Sequence, residues 1–220
     1  ESKRRQLLRE LSALHQFKGD HIVAFHGAYT KPDAICAVLE FMDGKSVHDA
    51  MQAMSFNEEA ISVIAHGCVA ALAALHAERQ LHRDVKPSNI LLDWRWRVKL
   101  SDFGVSRAVD NTLGIAQTYV GTLAFMAPER IVGADYSFPS DLWSFGLCLA
   151  TMALGRIPLP QTDGYWAVVR TICDADPPRL DPSMYDPDLC NLTQLCLARP
   201  ANDRPTAASL LTAHAFVQRG

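Results

Sequence analysis

No two of the chain's six cysteines form a C-x-x-C pair; they stand at 36, 68, 148, 173, 190 and 196, at no regular spacing. The pattern offers neither a zinc or dithiol motif nor a disulfide framework, and most of these cysteines are expected to be small buried hydrophobes in a reducing compartment. Net charge is nearly absent too, at −3 over 220 residues, with basic residues scattered apart from Lys3-Arg4-Arg5. Neither nucleic acid nor an anionic membrane is therefore expected as a partner. The longest apolar runs, 68–75 and 142–154, fall short of the ~20 residues that span a bilayer, so no membrane passage is expected. A signal peptide, internal repeats and low-complexity tracts are also missing, and Asn191-Leu192-Thr193 reads as a chance sequon. No G-x-G-x-x-G occurs, and Gly44-Lys45-Ser46 is not a Walker loop because that pattern needs glycine at the position of Leu39. The first residue is not methionine, which makes a piece of a longer chain the expectation.

What is present is enough apolar material, 49% of residues, for one good-sized core with a small lobe attached. Leu7, Leu8, Leu11 and Leu14 recur at helical spacing in residues 1–15, and Glu10 lies on the edge of that stripe with no cation one turn away. The runs 21–29 and 34–42, separated by Thr30-Lys31-Pro32-Asp33, read as a β-hairpin. Residues 58–78 are apolar on nearly every face and predict a central buried helix. The stretches 90–92 and 97–100 predict a second hairpin, turning through Asp93-Trp94-Arg95-Trp96, whose two tryptophans have no functional reading. Residues 102–139 show little periodicity and read as a long functional loop. Helices are expected at 140–154, 165–175, 187–197 and 205–217, with most prolines between them. The fold class is α+β: a small sheet with one helix, then a larger helical body.

Polar residues crowd into 81–92, where His82, Arg83, Asp84, Lys86 and Asn89 stand between an apolar helix and an apolar strand. A segment entering the core has no structural use for them. Asp102-Phe103-Gly104 follows, then Gly121-Thr122 and Ala127-Pro128-Glu129. Singly, Asp84 or Asp102 is as readily a turn cap. Together, H-R-D-x-K-x-x-N, D-F-G and A-P-E in order resemble the protein kinase family.

That resemblance implies a two-lobed kinase-like fold, with a partial N-lobe in residues 1–42 and a mostly helical C-lobe in 43–220. It also implies ATP and Mg²⁺ as cofactors. Phosphoryl transfer asks the protein mainly for positioning and charge neutralisation. By resemblance, Asp84 accepts the substrate hydroxyl's proton, Lys86 meets the transferring phosphoryl and marks Ser/Thr specificity, and Asn89 and Asp102 hold Mg²⁺. Leu39 is then the gatekeeper, Glu40 and Met42 lie on the hinge that bonds the adenine edge, Leu91 floors the base, and Ser88 lies beside the nucleotide. Arg83 is expected to bind an activation-loop phosphate, and His82 to be a core histidine near Phe103. Glu129 and Arg204 are expected to pair as a structural salt bridge, and Asp141 to anchor the catalytic-loop backbone.

Residues 9–15, 22–29, 39–46, 102–106, 120–130 and 214–219 look like the MAP kinase kinase branch, which is dual-specificity. The resemblance implies a MAP kinase substrate, an upstream activating kinase and a cytoplasmic location. Thr112 and Thr118, with five residues between them, are similar to the paired phospho-acceptors of plant-type members. Kinases place a Gly-rich turn and a lysine-bearing strand before the helix that carries the glutamate, and this sequence starts at that helix. Glu10 then looks like the lysine's partner, its mate lying upstream. Two other readings stay open: a kinase-like scaffold that docks partners without catalysis, and a Ser/Thr kinase of a neighbouring branch. The incomplete lobe also leaves an unpaired sheet edge at its first strand. The 220 residues alone are expected to bind ATP poorly; an ATP–Mg²⁺ titration that saturated in the submillimolar range would refute this.

Overall fold

The computed structural model describes residues 19–31, 34–102, 123–159 and 165–220. In chain order its elements are β1 (Phe25–Lys31), β2 (Ala34–Leu39), α1 (Val47–Ala53), α2 (Glu58–Ala77), β3 (Ile90–Leu92) and β4 (Val98–Leu100). There follow α3 (Pro128–Ile131), α4 (Phe138–Leu154), α5 (Tyr165–Asp174), α6 (Pro187–Cys196), α7 (Ala207–Ala213) and α8 (Ala215–Gln218). Small sheets and a helix-rich body make the protein α+β.

Two helices carry the core. Asn57 starts α2 by accepting the Ala60 N–H at 2.9 Å, and Glu58 and Glu59 complement the positive end of the helix dipole. Along α2, Ile61, Ile64, Ala65, Cys68, Leu72 and Leu75 are buried, against α4, α7, α8 and β4. Among the described residues α2 is the one helix long and apolar enough to cross a membrane, yet most of that apolar stretch is buried inside the fold. It is a core helix, as its all-round apolar pattern predicts. The second, α4, is buried continuously from Ser140 to Met152 and ends at Gly155, whose φ of 66° is the left-handed conformation that stops a helix.

β3 and β4 pair antiparallel, Ile90 opposite Leu100 and Leu91 opposite Lys99. Ile90 and Leu92 are buried while Leu91 is only partly so, so the alternation turns Leu91, and Lys99 opposite it, to the face away from α2. The turn between these strands is built by Asp93, whose Oδ1 accepts the N–H groups of Arg95 and Arg97, both at 2.9 Å. Trp94 and Trp96 point outward, with Arg95 stacked over Trp94.

The structure departs from the sequence expectations at several element boundaries, the second hairpin strand for one ending at Leu39 rather than 42. The first hairpin strand starts at Phe25 rather than 21, because the preceding residues are committed to β4: Leu100 N–H donates to the His21 carbonyl and Val23 N–H to the Leu100 carbonyl, both at 2.9 Å. The last expected helix is two, α7 and α8, broken at His214, whose extended backbone ends one and begins the other. Of the loop expected over 102–139, the described part contains α3 and the first turn of α4.

Gly67 lets β4 lie directly on α2, since a Cβ there would stand 2.5 Å from the Val98 Cβ. Gly67→Ala gains about 1 kcal/mol of helix propensity but forces the two elements apart, and is expected to lower stability by ~1–3 kcal/mol. Urea unfolding checks this; an unchanged or higher midpoint would refute it.

Candidate active site

The segment leaving α2 is held by one buried carboxylate. Asp141, fully buried in the first turn of α4, accepts four hydrogen bonds. Its Oδ2 takes His76 Nε2 at 2.9 Å and the His82 N–H at 3.0 Å. Its Oδ1 takes the Arg83 N–H and the Tyr136 hydroxyl, each at 2.9 Å. Burial alone drives the Asp141 pKa up, but the His76 hydrogen bond and the two backbone N–H groups outweigh it and hold the carboxyl below the usual aspartate value. Burial beside this anion pushes the Tyr136 phenol well up, so it remains a donor. Arg83 sits at φ 72°, a conformation rare for a side chain of its size that surrounding structure must hold in place.

Anchored there, the next residues fold back on themselves. Lys86 Nζ lies 2.8 Å from Asp84 Oδ2, and the Asn89 amide donates to the same oxygen at 2.9 Å and to the Asp84 carbonyl at 2.8 Å. Among the described residues the other carboxylate oxygen of Asp84 takes no hydrogen bond. His82 is wholly buried, with Nδ1 accepting the Asp84 N–H at 3.3 Å. Burial lowers its pKa and keeps the ring neutral near pH 7.

Strand pairing brings Asp102 alongside. Ser101 gives its N–H to the Asn89 carbonyl at 2.9 Å and its hydroxyl to the same oxygen at 3.3 Å. That hydroxyl also lies 3.4 Å from Asp102 Oδ2. Asp102 itself has φ 63°, which turns the chain sharply as it leaves β4. Both Asn89 N–H bonds are spent on Asp84, and among the described residues its amide oxygen takes no hydrogen bond, while the Asp102 side chain is exposed. An amide oxygen and a carboxylate are the ligand types that suit a hard cation such as Mg²⁺.

Above this cluster, Leu39 ends β2 opposite Phe25 and Met42 is buried. Glu40 N–H donates to the Ala24 carbonyl at 2.8 Å, while its side chain meets Lys99 Nζ at 2.8 Å and the Ala24 N–H at 3.1 Å. Ser88 is exposed on the single 3-10 turn Pro87–Asn89 and does not join the cluster. The Gly44-Lys45-Ser46 run packs rather than binds phosphate: a Cβ on Gly44 would stand 2.8 Å from the Leu92 backbone, and Ser46 caps α1 by accepting the Asp49 N–H.

Behind the cluster, Arg204 and Glu129 form a bidentate pair, Nη1 to Oε1 at 2.7 Å and Nη2 to Oε2 at 2.9 Å. Arg204 also donates to the carbonyls of Pro139, Ala198 and Arg199 and stacks on Trp143. Ser140 donates to Glu129 at 2.9 Å. Glu10, Thr112 and Thr118 lie outside the described residues, as do Phe103 and Gly104.

Sequence reasoning missed His76, Tyr136 and Lys99. His76 carries no local signal, since its partner lies 65 positions away, and Tyr136, only five positions before Asp141, sits in a stretch without periodicity. Lys99 had one: a lone lysine inside the strand Val98–Leu100 is a charge that needs a partner.

Burial raises the Glu129 pKa, but the Arg204 hydrogen bonds and charge more than reverse it, so the carboxyl sits below the ordinary glutamate value. A depressed folded pKa contributes stability that is whole above the unfolded value and drains away as pH falls through the folded one. Glu129→Gln is therefore expected to flatten the acid limb of the stability–pH curve and, by leaving Arg204 buried and unpaired, to cost ~3–5 kcal/mol at pH 7. Denaturant midpoints between about pH 3 and 7 test it, and parallel curves for the two proteins would refute it.

A family model described as the protein kinase domain matches residues 1–217. Over 222 residues the chain is 35% identical to mitogen-activated protein kinase kinase 3 of Arabidopsis thaliana, covering 99% of this chain and 42% of that protein. It is 35% identical over 227 residues to mitogen-activated protein kinase kinase 2 of the same plant, with coverages of 100% and 62%. Against the MAP kinase kinase PBS2 of Saccharomyces cerevisiae the identity is 37% over 223 residues, with coverages of 96% and 33%. The chain thus spans less than two thirds of the length of these relatives.

Proposed function

Since the chain belongs to the protein kinase family, in its MAP kinase kinase branch, we propose that the protein carrying it transfers a phosphoryl group from ATP to Ser/Thr, and also Tyr, of a MAP kinase. The observation that carries this reading is the half-occupied Asp84 carboxylate: one oxygen is fixed by Lys86 and Asn89, and the other takes no hydrogen bond among the described residues, as suits an oxygen that receives a substrate proton. In that role Asp84 accepts the proton of the substrate hydroxyl as the oxygen bonds to phosphorus.

Lys86, beside the base, supplies positive charge where negative charge grows on the transferring group. Asn89 and Asp102 would hold Mg²⁺ through their oxygens; when bound, the ion neutralises phosphate charge. The hinge backbone at Glu40 and Met42, with Leu39 behind and Leu91 below, would receive the adenine. Among the described residues, the Met42 N–H and the Glu40 carbonyl have no hydrogen-bond partner, which suits that task. Residues 1–42 and 43–220 serve as the two lobes on this reading. Glu10 pairs with a lysine upstream, Thr112 and Thr118 receive phosphates from an activating kinase, and Arg83 pairs with one of them. The setting is the cytoplasm.

The test uses the full-length protein against a catalytically dead MAP kinase. Asp84→Asn, nearly isosteric and still able to accept the Lys86 bond, is expected to lower kcat by about 10²–10⁴-fold. Equal rates for the two proteins would remove Asp84 from the role of base.

A further inference from the structure

The side chain of Glu40 has work that its position on the hinge does not explain. A hinge that meets adenine through its backbone leaves its side chains free to face water. Here the Glu40 carboxylate instead turns inward, and one oxygen, Oε2, takes both the Lys99 ammonium at 2.8 Å and the Ala24 N–H at 3.1 Å. Both side chains of the ion pair are mostly shielded, at 11% and 23% exposure for Lys99 and Glu40. Burial raises the Glu40 pKa, yet the Lys99 and Ala24 bonds bring it below the usual glutamate value, so the group is a carboxylate at neutral pH.

Three separate stretches of chain meet at that oxygen. Ala24 lies just before β1, Glu40 just after β2, and Lys99 in the middle of β4. Lys99 pairs in register with Leu91, the residue proposed to lie under the base, and it stands three positions before Asp102. The Glu40 N–H is already spent on Ala24, so side chain and backbone together clamp residue 40 against 24 on two sides. Residue 40 is thereby held by both its backbone and its side chain, which restrains the hinge segment that follows it before any ligand arrives.

We infer that Lys99 is a positioning residue for the adenine site, acting through the Glu40 carboxylate to fix the hinge backbone. This rests on the kinase reading above. A pre-aimed hinge acts on ground state and transition state alike, so its loss raises KM for ATP and leaves kcat nearly unchanged.

The experiment is done on the full-length protein with Lys99→Met, Lys99→Arg and Glu40→Gln. Lys99→Met is expected to raise KM for ATP by about 3–10-fold, the size of one net hydrogen bond, with kcat within about twofold. Calorimetric affinities for adenosine and for Mg·ADP should fall by the same factor, because the defect lies at the base and not at the phosphates. Lys99→Arg should recover most of the loss, and Glu40→Gln, which still accepts the Ala24 N–H, should lie between. Loss of kcat at unchanged KM, or weakened Mg·ADP with adenosine unaffected, would overturn the inference; so would a Lys99→Met protein equal to wild type. A wild-type protein that binds neither adenosine nor Mg·ADP would overturn the kinase reading and the inference with it.

Discussion

A buried anion must be answered by hydrogen bonds or it will not stay ionised, and Asp141 is the place where this constraint organises the molecule. Its four donors come from the end of α2, from two successive backbone N–H groups, and from the residues leading into α4. A single carboxylate thereby fixes how the apolar helix α2 hands over to the polar segment after it. The left-handed turn at Arg83 is a strained conformation on its own, and the bond its N–H makes to Asp141 is part of what offsets that strain. Lys86, Asn89 and Asp84 then meet because the chain enters them from a fixed direction.

A second buried charge repeats the logic beside the same first turn of α4. Arg204 arrives from beyond α6 to meet Glu129 and three carbonyls, and Ser140, next to Asp141 in α4, completes the set. Between these polar anchors, α2 and α4 are packed with Leu, Ile, Ala and Cys on nearly all sides. Apolar burial is non-directional and gives the bulk of the stability. The two charged sites supply direction, because each needs its particular donors and acceptors brought together from separate segments.

Much of this organisation was legible in the sequence. The all-round apolar pattern of 58–78 and the apolar head of 140–154 gave the two core helices, and the polar crowding at 81–92 marked the site. Asp84, Lys86 and Asn89 meet within hydrogen-bond distance in the structure, as their spacing within six residues invites. The link to Asp102 required the strand register, which Ser101 and Asn89 complete. What stayed hidden depends on long-range geometry. His76 looks ordinary until the fold carries it to Asp141, 65 positions on, and the start of β1 was misplaced because residues 21–23 answer to β4, some 77 positions away. Gly44 was the reverse case, a motif-like glycine whose reason is the closeness of the Leu92 backbone.

The bonds from the backbone at His82 and Arg83 to Asp141 span 59 and 58 positions of sequence. On a ribosome that adds about 5–20 residues per second, the segment bearing Asp84 therefore emerges roughly 3–12 s before the carboxylate that shapes it has been made. For that interval the nascent chain holds the polar loop without its anchor, and α2 without the helix that covers it. The part on which phosphoryl transfer would depend is thus shaped only after residues well beyond it have been made. In a newly made chain the polar loop lacks its anchor until translation has passed Asp141.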